Sequence, residues 1–318
     1  MPKMRVAGWG VLLALLLAFA PARAESLRVA KASPQAFAFV PLDVGVTEGI
    51  FKKQGFDIEV VSVSGSAKIH QAMAADGVDI ALGSGPDFPF LLNGAPEIGV
   101  GVLGGLPLYL GIIVPYDSPA KVPADLRGKR IGVSSPQSLT AWLAREFART
   151  QGWQPNEITL IAVGAEWPGQ IAALKTSQAD GVTQSIMLGY QMERAKVART
   201  LVKSSDYVKD FITHVIFAQN RMVKEHPDQI RRFLKGWYET IAFMRANRAE
   251  SVRLVRIVTG FDQDVEEHEF DTVMPMFSAD GKFDKRALGV LARSLLEVGM
   301  VEREPDLSKL YSEEFLPK

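Results

Sequence analysis

The sequence predicts an α/β protein of two lobes, each built on a mostly parallel sheet, joined by a two-strand hinge. Three observations carry that prediction. Short apolar, β-branched segments alternate with segments whose apolar residues recur at helical spacing, which is the pattern of strands with crossover helices. Two runs, "LYLGIIV" (108–114) and "HVIFA" (214–218), are largely apolar and bracket a second strand–helix series. After residue 218 the pattern is helical only. One sheet interrupted by another gives a discontinuous first lobe, 25–111 with 219–318, and a second lobe, 112–218.

The chain opens with "MPKMRVAGWGVLLALLLAFAPARA". Lys3 and Arg5 precede an apolar stretch too short to span a bilayer comfortably, and Ala22 and Ala24 stand where a signal peptidase reads small residues. A signal peptide over 1–24 with cleavage before Glu25 is expected, and so is residence in the periplasm. The whole chain has 36 basic and 36 acidic residues; residues 1–24 hold three basic and no acidic ones, so 33 basic and 36 acidic residues remain, a net charge of −3. That balance argues against a partner held by phosphate neutralisation, so no nucleic acid is expected. The absence of cysteine excludes disulfides, thiolate metal sites, a cysteine nucleophile and a lipid-modified N-terminal cysteine.

The elements follow in order. Residues 27–32 read as a strand, and 41–54 as a helix closed by Gly55. Residues 56–63 alternate as a second strand, 66–75 are helical, and 78–82 form a third strand. A short helix over 87–92 and a strand over 98–103 complete the first series. The second series has strands at 131–133, 158–163, 181–183 and 200–203, with helices from Gln137 and over 168–176. Helices over 227–246, 250–258 and 285–298 end the chain; the first carries Ile230, Phe233, Leu234, Trp237, Ile241 and Met244 on one stripe.

Four stretches carry a resemblance: "LDVGVTEGIFKKQGFDIEVV" (42–61), "GVDIALGSGPD" (77–87), "VPADLRGKRIGV" (122–133) and "EHPDQIRRFLKGWYETIAFMRANRAES" (225–251). In them the chain resembles the nitrate/taurine-type solute-binding proteins of ABC importers, a group that includes alkanesulfonate and thiamine-pyrimidine binders. The resemblance implies a type II periplasmic-binding-protein fold with two Rossmann-like lobes. It also implies capture of a small-molecule solute between the lobes, and delivery by a monomer to an inner-membrane ABC permease and its ATPase. No cofactor is expected, and the absence of cysteine and of a nucleophile–base pair, with the expected signal peptide, argues against enzyme activity.

Ligands of open α/β sheets lie beyond the carboxyl ends of the strands. Those ends supply Ser33, Gln35, Phe37 and Phe39; Ser64, Gly65 and Ser66; and Ser84 and Asp87. The second lobe adds Ser135, Gln137 and Ser138, then Trp167, then Thr183 and Gln184. Hydroxyls, amides and backbone donors at helix starts suit a small polar organic solute: a sulfonate, a taurine-like compound, a pyrimidine or a relative. Each residue also has a structural alternative. Ser135 is expected to cap its helix while Gln137 and Ser138 donate to the solute. Phe37 and Phe39 stack on the solute or pack as core, and Trp167 has the same choice. Asp87 caps its own short helix, or faces the cleft and favours an amine. "GSGPDF" lacks the third glycine of a dinucleotide fingerprint. The four histidines fall at no metal-ligand spacing and read as structural, and "EEHE" (266–269) reads as a solvated helix face. Two other functions compete with import: an enzyme like the pyrimidine synthase or desulfinase relatives, which the missing cysteine opposes, and a ligand-sensing module for a membrane receptor.

Overall fold

The computed structural model describes residues 24–318. The signal peptide expected over 1–24 therefore lies, but for Ala24, outside the described residues, and so does its processing. Ten strands form two five-stranded sheets. The first contains β1 (Glu25–Lys31), β2 (Phe56–Ser62), β3 (Ile80–Ser84), β4 (Glu97–Gly104) and β10 (His214–Gln219), in the order β2-β1-β3-β10-β4. The second contains β5 (Leu110–Pro115), β6 (Arg130–Val133), β7 (Thr159–Ala162), β8 (Gly181–Ser185) and β9 (Ala198–Lys203), in the order β7-β6-β8-β5-β9. The α/β class and the two-sheet architecture expected from the sequence are thus present.

Burial explains which strands are central. Every residue of β3, β8 and β10 is buried, because helices cover both faces of these strands. The edge strand β2 is mostly exposed: Asp57, Glu59, Val60 and Ser62 face solvent and only Phe56 is buried. Parallel pairing joins β1 to β2 and β3, and β6 to β7 and β8. The antiparallel strands are β10, between β3 and β4, and β5, between β8 and β9.

Those two strands correct the expected lobe boundary. The sequence placed 214–218 in the second lobe. In the structure β10 pairs only within the first sheet, so the chain returns before His214, over 204–213. It leaves the first sheet over 105–109, and Leu110 already pairs with Ser185 of the second.

The helices are α1 (Val40–Thr47), α2 (Ile50–Lys53), α3 (Ser66–Ala74), α4 (Phe88–Leu92), α5 (Leu139–Thr150), α6 (Trp167–Lys175), α7 (Ile186–Arg194), α8 (Asn220–Glu225), α9 (Pro227–Ala246), α10 (Arg248–Thr259), α11 (Gln263–Val273) and α12 (Lys285–Glu297). The single helix expected over 41–54 is split by Gly49, whose φ of 66° leaves the right-handed region. The stripe on α9 is buried as its spacing requires, and Phe233 stacks on Phe51 of α2 with ring centroids 5.3 Å apart. Among the described residues no helix is long and apolar enough to cross a membrane.

The C-terminal helices also reach the second lobe. The Trp142 indole N–H on α5 donates to Ser294 Oγ on α12 at 3.1 Å, and Arg149 lies 3.5 Å from Glu297. Trp142 stacks on Phe211 of the returning segment, with centroids 4.1 Å apart.

The crossing at β5 leaves no room for a side chain at Gly111. An added Cβ would sit 2.4 Å from the Val202 carbonyl oxygen and 2.7 Å from an Ile186 methyl. We expect Gly111→Ala to cost about 1–3 kcal/mol of unfolding free energy, the usual range for overpacking, read by urea denaturation.

Candidate functional site

A cavity of about 70 Å³ lies where the carboxyl ends of the parallel strands of both sheets meet. The first lobe brings Ser33 and Phe39 after β1, Gly65 and Ser66 at the start of α3, and Ser84 at the end of β3. The second brings Ser138 at the start of α5 and Gln184 near the end of β8. Seven sequence-predicted residues therefore converge on one space. Gly65 makes the turn into α3 possible with a φ of 92°, a conformation that other residues rarely adopt.

The other predicted residues lie outside the lining, each for a local reason. Phe37 is core, against Phe270 and Phe277 with centroids 6.2 and 6.0 Å away. Trp167 stacks on Phe261 at 4.8 Å, in the seam between lobes. Gln137 is exposed and Gln35 half-buried. Thr183 is fully buried within β8. Ser64 does not line the cavity; its Oγ accepts the Ala165 N–H at 2.9 Å, a direct bond from one lobe to the other. Ser138, not Ser135, caps α5, and Ser135 lies outside the cavity lining. Ser138 Oγ accepts the Ala141 N–H at 3.2 Å as the α5 cap, and donates to the Ser135 carbonyl at 2.7 Å.

Asp87 does not face the cavity; it holds Ser84. Its carboxylate accepts the Ser84 N–H at 2.8 Å and the Ser84 hydroxyl at 2.6 Å, the capping alternative named above. Behind it His70 lies 3.2 Å from Asp87 Oδ2 and 2.5 Å from Glu97 Oε1, with all three side chains buried. Burial alone would strip the proton from His70. The bonds to Asp87 and Glu97 outweigh it and hold the pKa up to about 9.

Several lining residues escaped the sequence reading. Tyr109 and His214 stand where the chain crosses between lobes, and the Tyr109 hydroxyl is 3.1 Å from His214 Nε2. His214 also packs edge-on to Phe39 at 5.3 Å. Burial keeps this imidazole neutral, with its pKa pushed down to about 3 despite the opposing charge of Asp87. Gln170 on α6 accepts from the Gln184 amide at 2.6 Å and donates to the Gly164 carbonyl at 2.7 Å. Thr140 completes the second-lobe side, beside Ser134 of the polar turn that also carries the expected Ser138. The signal for the first pair was present: each carries a polar group within two residues of the start of a run that otherwise reads only as a connector. Among the described residues, no Lys, Arg, Asp or Glu lines the cavity.

The segment 266–269 is not a solvated face throughout. Glu266 and Glu269 are buried on α11, and burial pushes both carboxyls up. Ser185, at the start of α7, donates to Glu269 Oε1 at 3.3 Å.

The family model described as NMT1/THI5 like matches residues 36–251. No curated protein matches the chain by sequence. A Candida albicans protein described as having the generic periplasmic binding protein fold is similar at a TM-score of 0.78 and 16% identity, over 91% of this chain and 96% of that one. The alkanesulfonate-binding protein SsuA from Xanthomonas axonopodis pv. citri, solved with MOPS bound, gives 0.75 and 17%, over 88% and 94%. The desulfurization enzyme DSZB gives 0.63 and 18%, over 92% and 97%. At these identities the structural likenesses establish the fold.

The His70 cluster has a pH signature. His70 binds its proton more tightly folded, at about 9, than at its ordinary value of 6.5. Its stabilisation is therefore complete below pH 6.5 and disappears as pH rises through about 9. His70→Leu should cost about 3–5 kcal/mol at pH 6, because two carboxylates lose their buried cation, and should flatten the fall in stability from pH 6.5 to 9 in denaturant titrations.

Proposed function

The chain belongs to the NMT1/THI5-like family, and from that premise we propose that it is the periplasmic solute-binding component of an ABC importer. It captures a small polar organic solute between its lobes and presents the closed form to an inner-membrane permease driven by its ATPase. The observation that carries the reading is the cavity. Strand ends of both lobes line it, and the Ser64–Ala165 bond closes the lobes beside it. A solute bridging those walls touches both lobes only when they are shut, so it stabilises the closed form by that difference in contact. The lining fits a solute held by hydrogen bonds and aromatic faces: hydroxyls from both lobes, the Gln170–Gln184 amides, and the Phe39, Tyr109 and His214 rings. The SsuA proteins of similar fold are described as sulfonate-binding, which keeps sulfonates among the solutes to be tried.

The likeness to DSZB raises an enzymatic reading. Two features of this chain speak against it. It has no cysteine for a nucleophile, and its cavity imidazole, His214, is too weak a base near neutral pH.

The test is recovery of the native solute. Protein exported in its own host should release one small molecule on denaturation, identified by mass spectrometry. Returned at a hundredfold excess over its dissociation constant, that molecule should stabilise the protein by about 2.7 kcal/mol. Phe39→Ala and Gln184→Ala should each weaken its binding about tenfold or more in calorimetry, as expected for loss of an aromatic or hydrogen-bonding contact. Chemical conversion of the recovered molecule would overturn the import reading.

A further inference from the structure

Two hydroxyls of the cavity wall, Ser84 from the first lobe and Ser134 from the second, have their protons already committed. Ser84 has a single hydroxyl proton, and it goes to Asp87 Oδ1 at 2.6 Å. In the second lobe the Ser138 proton goes to the Ser135 carbonyl at 2.7 Å. Ser138 must then be the acceptor in its 2.8 Å bond with Thr140, so Thr140 donates. With the Thr140 proton spent, the 3.0 Å bond between Ser134 and Thr140 has Ser134 as donor. The result is a one-way chain, Ser134 to Thr140 to Ser138 to the Ser135 carbonyl. Ser84 and Ser134, one from each lobe, both line the cavity, and each keeps only lone pairs to offer there.

We propose that Ser84 and Ser134 read N–H donor groups on the solute, so that these two positions select an amine or amidine over an oxyanion. The inference deepens the solute-binding role and rests on it. Charge agrees with it. The cluster behind Ser84 joins one cation, His70, to two carboxylates, Asp87 and Glu97, and among the described residues no Lys or Arg lines the cavity. An oxyanion placed against Ser84 would set acceptor against acceptor with no cation at hand. Asp87 is thus a positioning residue: it touches no solute, but it decides which way Ser84 points.

Asp87→Asn should turn Ser84 around. Oδ2 receives the Ser84 N–H at 2.8 Å and lies 3.2 Å from His70 Nε2, so the amide oxygen must occupy that place. The amide nitrogen then faces Ser84 Oγ as a donor, and the Ser84 proton swings toward the cavity. The experiment uses probe pairs alike in shape and opposite in hydrogen-bonding sense: acetamidinium against acetate, and guanidinium against nitrate. Dissociation constants are read by NMR titration of the full mature chain at pH 7. The wild type should favour the cationic member of each pair by about tenfold or more, the penalty of an unmatched buried acceptor. Asp87→Asn should reverse that order, and Ser84→Ala, which needs no repacking, should bring the members of each pair close together. Preference for the anions in the wild type, or a ratio unchanged in both variants, would overturn the inference while leaving solute binding intact. Failure of every probe to bind would count against both.

Discussion

The arrangement depends on where two antiparallel strands are inserted. β10 is hydrogen-bonded on both sides, by β3 and β4, and β5 likewise by β8 and β9. Each sheet therefore grips the strand by which the chain arrives from the other. The two crossings, 105–109 and 204–213, are fixed at both ends, and the parallel strands of both sheets finish at one seam. Every polar loop that reaches the cavity does so because of that register.

Within the seam, charge is kept behind the wall. Lys31 is buried and bound to Asp43 at 2.7 Å and to the Pro34 carbonyl at 3.0 Å, which anchors the Ser33 loop. The His70 cluster does the same for Ser84, and Arg28, Asp79 and Arg221 tie the opposite end of the first sheet. Ions thus shape the loops without lining the cavity. Removing one partner of such a group costs more than the pair itself contributes, because the remaining charge stays buried. The rigidity is placed one layer behind the groups that would meet a solute.

Most of the fold was legible in the sequence because strand and helix periods differ so plainly. The alternation of "FDIEVVS" and the six-residue stripe of α9 each admit one reading. The helix α7 was not seen: its "IMLGYQMER" has no sustained stripe, and its cap, Ser185, is the last residue of the preceding strand. The return crossing was misplaced because an apolar run such as "HVIFA" looks the same in either sheet; only pairing assigns it. At the site, loop tips were readable but side-chain direction was not. Ser135 and Ser138 sit three residues apart in one polar turn, and nothing in the letters says which caps α5. Glu266 and Glu269 read as surface because carboxylates seldom lie buried, and only the packing of α11 against α7 reveals that these do.

The bond between Ser64 and Ala165 is unequal in a heritable sense. Its acceptor is a side chain, but its donor is main chain, which every amino acid except proline supplies. Drift at position 165 leaves the donor in place, whereas a single codon at position 64 abolishes the acceptor. Selection on this one bond would act through the first lobe alone, and position 165 would be free to vary around a contact that it cannot easily lose.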